Sequence, residues 1–208
     1  MQSEGMCKKR ARDVDLAEFD CAMATVDLTP DSHLLVGKLP FSVSPEEIKA
    51  IWQLKPEFRG EVMMYGKLIA IPRCQQSYLR DYKFSGVSHA ALELPVELEP
   101  FLKLVNSLEL GEFNHALANW YENGHDYIGS HADSEKQLVK GSPVVTISLG
   151  ATRTFRVRQQ GKIVQDFPAD HGSVLVMCGE FQKELKHEIP KTMKVHSRRV
   201  SLTFRQFY

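Results

Sequence analysis

The chain has 208 residues, 43% of them hydrophobic, enough for one domain, or one domain with a sizeable lid, around a proper core. Its 26 Lys and Arg balance 26 Asp and Glu, so no overall positive field announces a nucleic-acid partner, and any such surface has to be local. Cys7, Cys21, Cys74 and Cys178 stand far apart without a CxxC pair; this excludes a disulfide framework, offers no obvious nucleophile or zinc ligand, and suits an intracellular protein with reduced thiols.

Residues 1 to about 30 mix charges with few large apolar side chains and are expected to form a flexible arm. They contain no apolar run, so neither a secretory signal nor a membrane span is expected. Lys8, Lys9, Arg10 and Arg12 are either a nuclear address or a solvated tail. Ser44-Pro45-Glu46-Glu47 is a capping box with proline at the first helical position, and Ile48, Ile51 and Trp52 continue at helical spacing, which predicts a helix from Pro45 to about Leu54. Glu61 to Ile71 alternates around Gly66 and predicts strands or a hairpin ended by Pro72. A second helix is expected from Pro100, with Phe101, Leu104, Val105 and Leu108 on one stripe and Gly111 as its stop. Beyond Gly111 the pattern changes to short β-branched or aromatic segments at 113–121, 144–149, 154–159, 172–177, 185–189 and 199–207, separated by turn residues. That rhythm favours a sandwich or jelly roll. The expected partition is an arm over 1–30, a mixed α/β lid with supporting helices over 31–112, and a β-rich core over 113–208.

Chemistry concentrates in the last third. His131 and Asp133 are one residue apart, so in an extended segment both side chains point the same way. His187, in a predicted strand, is placed to supply a third ligand. Two histidines and one carboxylate are the ligand set of a non-haem iron(II) centre, which leaves positions open for a bidentate 2-oxo acid and dioxygen. Structural zinc prefers four protein ligands, and neither HExxH nor a cysteine pair accompanies these residues. Taken alone, the His-x-Asp pair could be two surface residues. Arg199, Ser201, Thr203 and Arg205 share one face of a strand whose other face carries Val200, Leu202 and Phe204. Such a polar face is either solvated or aimed at a charged ligand, and arginine can grip a carboxylate with two parallel hydrogen bonds. The two arginines stand roughly 20 Å apart on an ideal strand at about 3.3 Å per residue, so their side chains would converge on opposite ends of a dicarboxylate. Asn119 and Tyr121 form a second polar pair on one strand face that could donate to the same acid.

With these residues in order, the chain resembles the AlkB family of nucleic-acid dealkylating dioxygenases over roughly 65–208. The carrying segments are Asn119-Trp120-Tyr121-Glu122-Asn123-Gly124, Ile128-Gly129-Ser130-His131-Ala132-Asp133, Ser148-Leu149-Gly150-Ala151, His171-Gly172-Ser173 and Arg199-Val200-Ser201-Leu202-Thr203-Phe204-Arg205. The resemblance implies an α+β chain with a double-stranded β-helix core and an N-terminal nucleotide-recognition lid. It implies His131, Asp133 and His187 as iron(II) ligands. Asn119, Tyr121, Arg199, Ser201 and Arg205 would line the 2-oxoglutarate site, with Arg199 at the end remote from iron and Arg205 near it. Dioxygen would be the other cosubstrate. The activity implied is oxidative demethylation of N1-methyladenine and N3-methylcytosine in DNA, releasing formaldehyde and succinate.

The N-terminal half is most similar to the branch that repairs double-stranded DNA, through Tyr65-Gly66-Lys67, Ile71-Pro72-Arg73-Cys74-Gln75 and Tyr82-Lys83-Phe84-Ser85-Gly86. The likeness implies that Tyr82 and Phe84, with Ser85 beside them, hold a flipped base, that Glu135 lies near its polar edge, and that Arg73 and Gln75 contact DNA. Core packing is the alternative for the two aromatics. Met64 and Tyr65 stand where that branch carries a wedge for the vacated base stack, or else they fill a hairpin core. Two positions depart from the family pattern: Ser201 replaces an asparagine between the arginines, and Ser134 replaces an acid beside the metal aspartate. Between Lys183 and Arg199, six basic residues face Glu184 and Glu188, either a phosphate-binding loop or a solvated one. RNA as substrate, a protein hydroxylase or demethylase of the same fold, and a non-catalytic nucleic-acid binding module are the rival readings. A monomeric intracellular protein without a membrane partner, placed in the nucleus or the cytoplasm, is expected.

Overall fold

The structure, a computed structural model, describes residues 22–64, 66–84, 87–133 and 136–208; the side chains of Met64, Lys83, Phe84, Val87 and His89 lie outside that description. In chain order the described elements are β1 (Ala24–Thr29), β2 (Ser32–Lys38), α1 (Pro45–Gln53), β3 (Glu61–Met64), β4 (Lys67–Ala70), β5 (Cys74–Tyr78), β6 (Tyr82–Phe84), β7 (Val87–His89), β8 (Ala91–Leu92), α2 (Glu99–Ser107), β9 (His115–Tyr121), β10 (Ile128–His131), β11 (Val144–Gly150), β12 (Arg153–Gln159), β13 (Lys162–Ala169), β14 (Ser173–Gly179), α3 (Phe181–Glu184), β15 (Lys186–Ile189) and β16 (Arg199–Arg205). They form an eight-stranded sheet, in the order β1-β2-β14-β11-β16-β9-β5-β8, and a four-stranded sheet, β10-β15-β12-β13. These two sheets make the jelly-roll core. The hairpins β3-β4 and β6-β7 stand beside it.

The period of two along the central strands decides which side chains meet the helices and which meet the second sheet. Ala116, Ala118 and Trp120 of β9, Val145, Ile147 and Leu149 of β11, and Val200, Leu202 and Phe204 of β16 form one core with Ile51 of α1 and Phe101 and Val105 of α2. The indole N–H of Trp120 donates to the carbonyl of Ile51 at 3.1 Å and ties the end of α1 to the sheet. The alternate residues of the same strands face the smaller sheet, where Phe155, Val157 and Phe167 join Leu175 and Met177 in a second core. Polar residues on this inner face gather into rows, because Gln75, Asn119, Ser201 and Ser148 lie opposite one another across β5, β9, β16 and β11.

The capping box holds as the sequence predicts: the Ser44 hydroxyl accepts from Glu47 N, and Glu47 accepts from Ser44 N. The expected arm needs amendment, since 24–29 is β1, hydrogen-bonded to β2, which in turn extends the large sheet through β14. Nor does the sheet respect a boundary near residue 112, because β1, β2, β5 and β8 all belong to it. A strand with a single alternating face needs only a free edge to join, and the edges beside β14 and β9 supply one each. β13 was hidden in the sequence by Pro168, which is tolerated because β13 is the outer strand of its sheet.

Candidate active site

β10 and β15 run antiparallel with His131 directly opposite His187, so one cross-strand pair presents both imidazoles to the same point. Asp133, two residues past His131, completes the set: one ligand atom from each of the three lies within 4.8 Å of the others. The His131 ring has Nδ1 2.9 Å from Gly129 O, which holds the proton on Nδ1 and turns Nε2 toward Asp133 Oδ1 at 3.7 Å. Phe155 stacks on His187 with centroids 5.2 Å apart and fixes its plane. The backbone N–H of Asp133 donates to Gln182 Oε1 at 2.8 Å, so α3 sets the carboxylate's position.

Electrostatics favour a cation at this point. Burial drives the His187 imidazole down to about 3, with His131 adding to the shift, which leaves a neutral ring and a lone pair at pH 7. Burial likewise lowers His131. For Asp133, burial alone would raise the pKa, yet Arg205, His187 and His131 hold it below the usual carboxylate range. Asp133 Oδ2 and His187 Nδ1 are buried without a hydrogen-bond partner. An ionised carboxylate oxygen and an imidazole nitrogen left unpaired in a closed site are costly unless a metal ion takes them. The donor set of two nitrogens and one carboxylate oxygen suits iron(II).

β16 forms one wall of the cavity beside this centre, and all seven of its residues are buried. Arg205 donates from Nη2 to Asp133 Oδ1 at 2.9 Å, which places it at the metal end. Arg199, at the other end, is 2% exposed, donates to Ser148 Oγ at 2.9 Å, and keeps Nε and Nη1 unpartnered. A buried guanidinium with two idle donors fits a carboxylate. Its carbon lies 4.9 Å from the centroid of the Tyr121 ring. Gly150, at φ +90°, has no room for a side chain, because a Cβ there would come within 2.5 Å of Arg198 O; this close approach seats the start of β16 against the end of β11. Asn119, Tyr121, Ser201 and both arginines line one cavity with His131 and His187. Ser201 Oγ lies 3.1 Å from Thr146 Oγ1, so the short side chain at this position spends itself on a neighbouring strand.

The substrate side departs more from expectation. Arg73 and Gln75 do not present themselves to a partner surface: both are buried, and Arg73 donates to Asn119 Oδ1 at 2.7 Å and to Gln75 Oε1 at 3.2 Å. The cause is register, since Gln75 pairs with Asn119 and its alternating face is the inner one. Tyr82 lines the cavity and is also packed, with the Arg205 guanidinium carbon 5.3 Å from its ring centroid and His115 stacked at 5.6 Å. Tyr65, Ser85, Ser134 and Glu135, and the side chains of Met64 and Phe84, lie outside the described residues. In the basic loop, Lys183 pairs with Glu180, Arg198 pairs with Glu122 at 2.9 Å, and Arg199 is buried, while Lys186, Lys191 and Lys194 are exposed.

Four residues at the site are given no role by the sequence. Thr146 and Ser148 sit two apart in an otherwise apolar strand, the same signal that singled out β16. His115 and Gln182 carried no such signal: His115 is fully buried beside Ser77 Oγ at 3.0 Å, and Gln182 lies on a single-turn helix.

Residues 44–205 match the family described as the 2OG-Fe(II) oxygenase superfamily, and the chain belongs to it. Iron(II), 2-oxoglutarate and dioxygen are the cofactor and cosubstrates of that family, and the centre described above suits them. Among similar proteins are the DNA oxidative demethylases ALKBH2 of human (35% identical over 159 residues, 71% of this chain and 61% of that protein) and of mouse (33% over 192 residues, 86% and 80%). The chain thus spans less than two thirds of the human relative's length. Human alpha-ketoglutarate-dependent dioxygenase alkB homolog 3 is 35% identical over 106 residues, 46% of this chain and 37% of that protein. These relatives agree with the AlkB resemblance carried by the motifs. The solved structure of OsALKBH1 has the same fold, with a TM-score of 0.59 at 16% identity over 88% of this chain and 100% of that one. Among the described residues, no helix is long and apolar enough to cross a membrane.

Proposed function

We propose that this chain is an oxidative demethylase of alkylated DNA bases, acting on N1-methyladenine and N3-methylcytosine. The observation that carries the reading is the meeting of three ligand atoms within 4.8 Å in a cavity also lined by the buried Arg199, whose Nε and Nη1 have no hydrogen-bond partner. The names of the ALKBH2 relatives supply the substrate class.

Iron(II) with 2-oxoglutarate and dioxygen would supply the oxidising chemistry: one oxygen atom would go to the N-methyl group, giving a hydroxymethyl group lost as formaldehyde, and the other to 2-oxoglutarate, giving succinate and carbon dioxide. The protein's own residues position and enclose. His131, Asp133 and His187 hold the ion, and Arg205 keeps Asp133 ionised and aimed. Arg199 takes the remote carboxylate of the cosubstrate against Ser148. Burial of this wall excludes water, which strengthens each charge-assisted contact inside it. Tyr82, at the cavity, marks the side from which an extruded base would approach.

Incubation with iron(II), 2-oxoglutarate and an N1-methyladenine oligonucleotide should yield formaldehyde and succinate in equal amounts. The variant Asp133→Ala should yield neither while keeping the wild-type circular dichroism spectrum. Consumption of 2-oxoglutarate with no loss of the methyl group would overturn the substrate assignment and leave the family in place.

A further inference from the structure

The cavity contains a third buried guanidinium that the two arginines of β16 do not explain. Arg73, 5% exposed, donates from Nε to Asn119 Oδ1 at 2.7 Å, from Nη2 to Gln75 Oε1 at 3.2 Å and from Nη1 to Tyr127 O at 3.5 Å. All three acceptors are neutral oxygens. Burial of a positive charge against neutral acceptors is costly, and the cost points to a role inside the site. Both Arg73 and Asn119 line the cavity that holds His131 and His187.

The two side chains do not have equal freedom in their contact. Arginine only donates, whereas an asparagine amide has one accepting end and one donating end. With its oxygen taken by Arg73, the amide of Asn119 must turn its NH2 group the other way. Gln75, directly opposite Asn119 across the ladder, holds the arginine from its far side. We propose that Arg73 is a positioning residue for the cosubstrate: it locks the Asn119 amide so that its N–H donors face a carboxylate of 2-oxoglutarate. The proposal rests on the 2-oxoglutarate reading above. Without Arg73 the amide can turn over and present its oxygen to an anion, which repels it. The same burial keeps Arg73 off the outer surface, where the phosphates of DNA would be met.

The test is isothermal titration of 2-oxoglutarate into Mn(II)-loaded protein with no oligonucleotide present. Asn119→Ala and Arg73→Met should each raise Kd about tenfold, the effect of losing one hydrogen bond to a charged group. The double variant should bind no more weakly than Asn119→Ala, because both changes remove one device. Arg73→Gln, which can still donate to Asn119 Oδ1, should recover part of the loss. Affinity of Arg73→Met for duplex DNA should stay at the wild-type level. An unchanged Kd in Arg73→Met, fully multiplied effects in the double variant, or lost DNA affinity with intact 2-oxoglutarate binding would each overturn the proposal. Should Arg73→Met fail to fold, Arg73→Leu removes the donor with a different apolar side chain, and its Kd decides in the same two directions. Wild-type protein that does not bind 2-oxoglutarate at all would overturn the functional reading itself.

Discussion

Every side chain of β16, from Arg199 to Arg205, is buried, whereas every side chain of β4, from Lys67 to Ala70, is exposed. β16 has hydrogen-bonded partners on both sides, β11 and β9, while β4 has only β3. The first strand is determined from all directions: an apolar face against the helices, a charged face against the cavity, and a neighbour along each edge. The second is a two-stranded hairpin, an element that is marginal on its own in water. It carries Met63, Leu68 and Ile69 with 45%, 56% and 43% of their surfaces exposed; Met63 and Leu68 are a cross-strand pair on one face, and Ile69 lies on the other. The difference separates two needs. A metal and an anion require fixed atoms, whereas an exposed hairpin held by one ladder can yield to what it meets.

The contrast breaks most visibly at the metal. Asp133→Ala should cut turnover on the order of 10³-fold or more, since one member of a unit removes the work of all; a residual rate near that of wild type would show that the ion is held elsewhere. Next comes Arg199→Met, expected to raise KM for 2-oxoglutarate roughly 10- to 100-fold by deleting charged hydrogen bonds. Steady-state kinetics with varied 2-oxoglutarate and with varied oligonucleotide would locate the loss; a rise confined to the oligonucleotide KM would take Arg199 out of the cosubstrate wall. For stability, Leu202→Ala should cost about 2–5 kcal/mol by leaving a cavity, while Leu68→Ala should stay within about 0.5 kcal/mol, both read from urea denaturation. Comparable losses from the two would mean that the hairpin is as firmly built as the barrel.

A further effect on stability is in pH. Burial, with Arg205 nearby, lowers the fully buried His115 from its ordinary 6.5 to about 2. The unfolded chain therefore takes up this proton before the folded one does. Its contribution to stability is whole above about pH 6.5 and is lost as pH falls toward 2, at up to about 1.4 kcal/mol per pH unit. Urea midpoints for His115→Phe should fall less between pH 6.5 and 5 than those of wild type; equal slopes would show that His115 is not buried as a neutral ring.

The sequence disclosed the strongly determined region far better than the yielding one. The period of two at Arg199, Ser201, Thr203 and Arg205, and the single-residue gap between His131 and Asp133, are local patterns with direct geometric consequences, and each side chain stands where the pattern puts it. Ser44 to Glu47 was equally legible, because a capping box is complete within four residues. Arg73 and Gln75 were misplaced for the opposite reason. Their inward direction depends on which neighbour β5 takes, and the pairing of Gln75 with Asn119 joins segments far apart in the chain. β1 and β13 were lost similarly, since an edge strand needs only one good face and can carry charge or proline on the rest.

The placement of His131 opposite His187 has a further consequence. An ion bound by both bridges two strands whose intervening chain includes β11, β12, β13 and β14, so it works as a clasp that reinforces the β10–β15 ladder across a long loop, and that reinforcement is present only with the metal. Stripping the ion with a chelator should therefore accelerate amide hydrogen exchange in β10 first, with β16 and β9 still protected by the ladders on either side of them. The iron centre would then serve as the last fastener of the fold as well as the seat of its chemistry.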